Sequence, residues 1–316
     1  MPAHRAGQVG PRPKAEPFVV VVGDACIDEV RLPGGAQFFP GGSALNVAVG
    51  LSTLGVSAAL VAMVGDDADG DLLRDYLQLH RVELLVTPSG RGTARAISER
   101  MGAEPRYSFT EAAIHRRIEL GDAEVATIED ASLVVLSGFP FDDTQNVKVL
   151  QAAVRSPLER LVIDANPRAG LLRDAATFTR NLEDLAATSR LAKIGEEDAA
   201  LLWGRTLDEV TQHLLDLGTD TVLSTAGERG AMLSTSTGIR VRAAATDLAE
   251  PIMDTMGAGD ATLASVAHSL VSLNGAPDEQ TWTEILGDAM AVAAATCRAP
   301  GGSLCRPHPR QRGVRS

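Results

Sequence analysis

The sequence has no basic surplus. Its 29 Lys and Arg stand against 41 Asp and Glu, a formal net charge of −12. That balance excludes nucleic acid or an anionic membrane as the principal partner, because both require a basic surface. It leaves room for an anionic substrate, which a few local donors can hold. Cysteine is scarce. Cys26, Cys297 and Cys305 are odd in number and form no C-x-x-C pair, which excludes a disulfide framework and fits free thiols in a reducing cytoplasm. No run approaches the ~20 apolar residues of a membrane span. Residues 1–17, MPAHRAGQVGPRPKAEP, contain no apolar segment and read as a disordered leader, not a signal peptide. Residues 303–316, ending in RPHPRQRGVRS, read as a flexible tail. The string G-x-x-x-x-G-K-[ST] does not occur, so there is no Walker A loop. G-x-G-x-x-G/A fails at Thr262 and stands near the end of the chain, not in its first βαβ unit, which disfavours a dinucleotide dehydrogenase.

With 45% hydrophobic and 22% charged residues over 316 positions, the chain suits one large globular domain, placed at 18–302. FVVVVG (18–23) is a continuous β-branched run ending in Gly, as expected for a strand buried on both faces of a parallel sheet. Similar runs recur at 58–65, 132–138, 160–166, 190–195 and 220–227. Helical patterns stand between most of them, at 43–55, 69–79, 144–154, 196–204 and 207–218. Two longer helices at 258–273 and 279–297 close the pattern. This alternation predicts an α/β fold with helices on both sheet faces. Residues 29–40 and 91–118 break the rhythm. The second stretch alternates like strands around a GAEP turn, so the two together predict a small sheet serving as a lid, a structural flap or a dimer surface.

The strands' carboxyl ends are where open α/β sheets bind ligands. They carry small and acidic residues: Gly23-Asp24, Gly65-Asp66, Ser137-Gly138, Asp164-Ala165-Asn166, Gly195-Glu196 and Thr225-Ala226-Gly227. DTMGAGDATLASVAHSL (254–270) then runs from glycines into a helical stretch. Glycines ahead of a helix expose amides to an anion, yet Asp260 at that mouth repels one. The conflict disappears if Gly257, Ala258 and Gly259 cradle a phosphoryl group in transit while Asp260 takes the proton of an attacking alcohol. Asp is also a favoured helix N-cap, and the segment alone leaves both readings open. In FPGGSALNVAVGLSTLG (39–55), the pair Gly41-Gly42 opens a helix, and Asn46 lies one turn from Gly42. Glycines admit a small polar ligand to the backbone, and an amide side chain serves hydroxyls as donor and acceptor. Asp24 and Asp28 of GDACIDEV could converge on the same place.

With both stretches in view, the chain resembles the ribokinase-like (PfkB) carbohydrate kinases over roughly residues 18 to 302. PGGSALNVAVGLSTLG is similar to that family's N-terminal signature and DTMGAGDATLASV to its C-terminal one. VGDDADG, LSGFP, IDANPRAGLL and STAGERGAML are supporting matches. The resemblance implies a three-layer αβα fold with a mostly parallel central sheet and a small β-strand lid from about 29–40 and 91–118, often a homodimer surface. It implies ATP and Mg2+ as cofactors, with K+ as an option. Carried over by position, Asp260 is the base and Gly257, Ala258 and Gly259 the anion hole. Asp28, Gly41, Gly42 and Asn46 hold the sugar, and Lys193, Thr225, Gly227 and Gly230 the nucleotide. Where the family commonly has N-x-x-E, this chain reads Gly195-Glu196-Glu197-Asp198. Asp198, with Glu197 as substitute, then holds the metal through water. Bacterial fructokinases are the more similar branch, implying ATP-dependent phosphorylation of a ketohexose. A ribokinase, a nucleoside kinase and a 2-keto-3-deoxy sugar acid kinase are alternatives, the last because Arg95 and Arg106 fall in the lid. A non-catalytic sugar-binding regulator on a kinase scaffold is the rival of another class.

Overall fold

The structure is a computed structural model describing residues 17–99, 106–273, 275–299 and 301–307. The leader up to residue 16, the GAEP turn (102–105) and the tail from residue 308 lie outside the described residues. The strands are β1 (Phe18–Gly23), β2 (Cys26–Leu32), β3 (Gly35–Gly41), β4 (Ser57–Gly65), β5 (Glu83–Ser89), β6 (Arg95–Glu99), β7 (Arg106–Phe109), β8 (Leu133–Ser137), β9 (Leu161–Asp164), β10 (Leu191–Gly195), β11 (Thr221–Thr225), β12 (Ala231–Thr235) and β13 (Arg240–Ala243). The helices are α1 (Ser43–Leu54), α2 (Ala68–Leu79), α3 (Glu111–Ile114), α4 (Asp122–Asp130), α5 (Thr144–Ala153), α6 (Pro157–Arg160), α7 (Ala175–Ala186), α8 (Glu196–Trp203), α9 (Leu207–Leu217), α10 (Ala258–Ser272) and α11 (Glu279–Thr296).

Nine strands form the main sheet in the order β13-β12-β11-β10-β9-β8-β1-β4-β5. All neighbours from β5 to β11 pair in parallel, and β12 runs antiparallel to both β11 and β13. Successive side chains of a strand point to opposite faces, and β1 divides accordingly. Val19 and Val21 join the apolar layer of α1, α2, α10 and α11, whereas Val20 and Val22 join that of α4, α5, α7, α8 and α9. Each fully buried Leu, Ile or Val contributes roughly 1.5–3 kcal/mol, so an all-apolar strand fits only where helices cover both faces. This is the predicted three-layer αβα, ribokinase-like arrangement.

From β1 the sheet extends to β4 on one side and to β8 on the other. That makes β1 a topological switch point, beside which a crevice opens at the strands' carboxyl ends. A second sheet, β3-β2-β6-β7, lies over this crevice.

Four features differ from the sequence reading. The small sheet begins at Cys26, three residues before the expected lid. Residues 111–114, expected to alternate like strands, form α3. β5, β12 and β13 extend the main sheet beyond the strands expected. The expected tail is tied down at its start: Leu304 is buried, the Cys305 N–H donates to Thr296 Oγ1, and Arg306 donates to the Thr53 carbonyl.

Candidate active site

Helix α10 begins without a side-chain cap. Its N-cap is Gly257, in the left-handed region at φ 76°. A Cβ there would stand 2.2 Å from the Gly302 carbonyl oxygen, so any other residue meets both strain and a backbone clash. The N–H groups of Gly257, Gly259 and Asp260 find no acceptor among the described residues. The Ala258 N–H instead turns back to the Thr255 carbonyl at 3.3 Å. Gly257, Gly259 and Asp260 line one large cavity. Unsatisfied donors at the positive end of a helix dipole attract an anion.

Asp260 is the third residue of α10, so its carboxylate does not cap the helix. It points into the protein, 8% exposed. Its Oδ1 accepts from Ser43 Oγ at 2.6 Å and its Oδ2 from Asn46 Nδ2 at 2.8 Å. Both donors come from the first turns of α1, which Gly42 starts at φ 103°. Asn46 Oδ1 is buried with no hydrogen-bond partner among the described residues. An orphaned acceptor in a polar cavity is a place for a ligand hydroxyl.

Two more carboxylates lie beside this pair. Asp24 Oδ1 accepts the Ala44 N–H at 3.0 Å, and Asp28 lies so close to Gly41 that a Cβ there would meet Asp28 Oδ2 at 2.1 Å. Burial pushes both pKa values up, Asp28 to about 7 with the neighbouring Asp24 charge adding to the effect. The same burial, with Asp28 beside it, holds the Cys26 thiol protonated. Arg168 opposes the shifts of both acids, and Arg116 that of Asp24. Arg116 donates to the Leu171 carbonyl. The Arg168 carbonyl accepts from the Leu171 and Leu172 N–H groups, while its side chain has no hydrogen-bond or ion-pair partner among the described residues. Both arginines line the cavity.

A buried ion pair lies at the floor, where Lys193 lines the cavity and Asp164 sits behind it. Lys193 Nζ lies 3.0 and 2.9 Å from the two oxygens of Asp164. It also lies against α10, because a Cβ on Gly259 would come within 3.3 Å of it. Burial raises the Asp164 pKa to about 6 against the pull of Lys193. Burial alone would lower that of Lys193, but Asp164, Asp198 and Asp260 together raise it.

The remaining predicted residues are placed as follows. Gly42 lines the cavity, and Gly41 stands behind it against Asp28. Glu197 lines it and is exposed. Asp198 Oδ2 accepts the Gly195 N–H at 2.7 Å, capping α8. Thr225 ends β11, and Gly227 and Gly230 form the following turn, none of them lining the cavity. Gly230 is explained by packing, since a Cβ there would stand 2.1 Å from the Ala243 carbonyl. Arg95 is committed to Glu29 and Asp69 and stacks over Phe38; the Arg106 side chain lies outside what is described. Tyr107 and Phe109 of the small sheet do reach the cavity.

The cavity measures about 1190 Å³, larger than a single small-ligand site requires and sufficient for two reactants side by side. Sequence reasoning put Ser137 and Asp164 at ligand-binding strand ends without giving them a role, and missed Ser43, Arg116 and Arg168. Asp164 and Arg168 stand in DANPR at a strand's carboxyl end, where their position was a signal. Arg116 gave none.

The family described as pfkB family carbohydrate kinase matches residues 17–309. An ATP-dependent 6-phosphofructokinase of Thermoanaerobacterium thermosaccharolyticum is 27% identical, over 77% of this chain and 78% of that protein. A probable fructokinase-7 of Arabidopsis thaliana is 27% identical over 93% and 90% of the two chains. The crystal structure of aminoimidazole riboside kinase from Salmonella enterica, complexed with aminoimidazole riboside and an ATP analog, superposes with a TM-score of 0.72. It covers 90% of this chain and 95% of its own at 23% identity.

Proposed function

The chain belongs to the pfkB family of carbohydrate kinases, and on that footing we propose that it transfers the γ-phosphoryl group of ATP to a hydroxyl of a ketohexose, with Asp260 as general base. The observation that carries this reading is the pairing of a buried, inward-pointing carboxylate with unsatisfied amides at the start of the same helix.

The sugar lies between α1 and the lid. Asn46 Oδ1 accepts one hydroxyl, and Asp28 and Asp24 take others. Asp260 removes the proton from the attacking hydroxyl, whose oxygen forms the new bond to phosphorus while the electron pair of the breaking bond leaves on ADP. The amides of Gly257, Gly259 and Asp260 face the charge that spreads over the phosphoryl oxygens. Lys193 adds a fixed positive charge behind them. Tyr107 and Phe109 cover the sugar and exclude water, which would otherwise hydrolyse ATP. Thr225, Gly227 and Gly230, at the end of β11 and in the turn after it, are the residues we assign to the nucleotide from the family resemblance.

Among the described residues no cluster of three or more ligating side chains forms a metal cage. The donor set still fits Mg2+, which takes hard oxygens and is commonly held by one or two carboxylates with substrate phosphates. Glu197 offers both oxygens and Asp198 the one not committed to Gly195. When bound, the ion neutralises phosphate charge.

A second reading has one observation behind it. Arg116 and Arg168 line the cavity beside Asp24 without an ion pair among the described residues, a setting that also suits an acceptor bearing phosphate or carboxylate. A coupled ADP-release assay with ATP and Mg2+ against fructose, ribose, nucleosides, sugar phosphates and 2-keto-3-deoxy acids tests both. Release stimulated by fructose supports the first reading. Release with anionic acceptors alone moves the assignment to the second, and binding without release under all conditions indicates a regulator.

A further inference from the structure

Ser43 joins the base to the ion pair on the cavity floor. Its Oγ lies 2.6 Å from Asp260 Oδ1 and 2.5 Å from Ser137 Oγ. Ser137 Oγ in turn lies 3.4 Å from Asp164 Oδ2, which Lys193 holds. Ser43, Ser137, Asp164 and Asp260 are all buried. They come from α1, the end of β8, the end of β9 and α10, so the chain crosses four elements without leaving the protein.

Proton bookkeeping gives this chain a direction. Four oxygen centres leave three gaps. Each serine owns one proton, so with both carboxylates ionised two protons serve three gaps, and one gap stays empty. Two contacts are short, and the third, Ser137 to Asp164, is longer than a normal hydroxyl hydrogen bond. The empty gap is assigned to that weakest contact, because each of the two closer oxygen pairs needs a proton between them. One further proton completes the chain, and the reaction releases one, the proton of the acceptor hydroxyl.

We infer that Ser43 and Ser137 relay the acceptor proton from Asp260 to Asp164, so that Asp260 is restored as a carboxylate while Lys193 loses its counter-charge as the phosphoryl group arrives. The inference rests on Asp260 being the base. The proton balance is closed. The acceptor oxygen gives its proton to Asp260. Asp260 gives one to Ser43, whose own proton passes to Ser137, and the Ser137 proton passes to Asp164. The serines rotate their hydroxyls beforehand to move the vacancy to the Asp260 side, and every gap is filled before and after the shift. No redox partner is needed. The upward displacement of the Asp164 pKa to about 6 by burial makes it a competent resting place. Lys193, now facing a neutral acid, keeps its charge for the first turn of α10, against which it lies. The charged groups facing Asp164 are Lys193 of β10, Asp198 of α8 and Asp260 of α10.

A kinetic cycle on Ser137→Ala and Ser43→Ala tests the relay. Ser137 makes no hydrogen bond to Asp260 and does not itself line the cavity, so its effect on the base passes through Ser43, which does both. Ser137→Ala is expected to lower kcat about ten-fold, with KM for sugar and ATP changed less than about two-fold. The acid limb of the kcat profile, near pH 6 in the parent, is expected to move to lower pH, because protonation of Asp164 no longer blocks the path. In the Ser43→Ala background, already cut, adding Ser137→Ala should change nothing. A parental kcat and pH limb in Ser137→Ala overturn the relay, as does a loss that adds fully to that of Ser43→Ala or appears as raised KM. If the single variants fold poorly, Ser137→Cys keeps the volume while supplying a weak donor. Activity equal to the parent in that variant also overturns the relay. Asp260→Asn is run in parallel. If that variant turns over normally, the base assignment itself fails; if it is inactive while Ser137→Ala is normal, only the relay fails.

Discussion

Asn46 Nδ2 donates to Asp260 Oδ2 at 2.8 Å, joining residues 214 positions apart in sequence. The contact locks the start of α1 to the start of α10, one bearing the amide proposed to hold the sugar and the other the proposed base and phosphate-side donors. Gly302 completes the lock: a Cβ there would stand 2.8 Å from the same amide nitrogen. A side chain expected to bind sugar therefore also orients the base.

Asn46→Ala removes both roles. Asp260 loses one of its two donors and a sugar hydroxyl loses its acceptor, each worth ~1–3 kcal/mol when buried. Steady-state kinetics should show KM for the sugar up about ten-fold or more and kcat down as well, with KM for ATP little changed. A change confined to ATP would place Asn46 on the wrong reactant.

The acid pair gives a pH prediction. Burial raises the Asp28 pKa from 3.8 to about 7, so the side chain is largely neutral below pH 7 and carries charge above it. The charged form is the stronger acceptor for hydroxyls. The kcat/KM for sugar should therefore fall as pH drops through about 7. In Asp28→Asn it should be lower and lack that inflection, as measured from pH 5.5 to 8.5 in constant ionic strength.

Lys193 and Asp164 form a buried pair, and removing one partner leaves an uncompensated charge. Lys193→Met should destabilise the fold by ~3–5 kcal/mol in urea titrations. Lys193→Met combined with Asp164→Asn should recover much of that loss, because two neutral groups then replace two charges. Equal destabilisation by the single and double variants would show that packing, not charge, dominates here.

Much of the central sheet was legible because its strands are short, apolar and covered on both faces. The helices between them have the expected period and clear stops, such as Gly55 and Gly218 in the left-handed region. β5 was not legible: ELLVTPS holds a Pro and half-exposed residues at a sheet edge, where strand patterning fades. β12 and β13 were hidden behind turn-rich flanks. At the site, the glycine strings announced themselves through the backbone freedom they provide. Ser43 and Arg116 did not, because a serine or arginine has no local signature of what it will touch, and Ser137 showed only as the end of a strand. Their partners come from distant strand ends, and only the assembled sheet brings them together. Taken from its segment alone, Asp260 was open between cap and base, and the family resemblance favoured the base; the structure places it third in its helix with its carboxylate turned toward α1, which removes the cap reading.

The measurement closest to the central claim is the single-turnover rate of Asp260→Asn with saturating ATP, Mg2+ and acceptor sugar. The amide keeps the shape of the side chain but cannot take a proton. The account predicts phosphoryl transfer slowed by two or more orders of magnitude, with sugar and ATP still bound near their parental affinities by calorimetry. A rate within about ten-fold of the parent would contradict it, and Asp260 would then be a structural acid bridging α1 and α10.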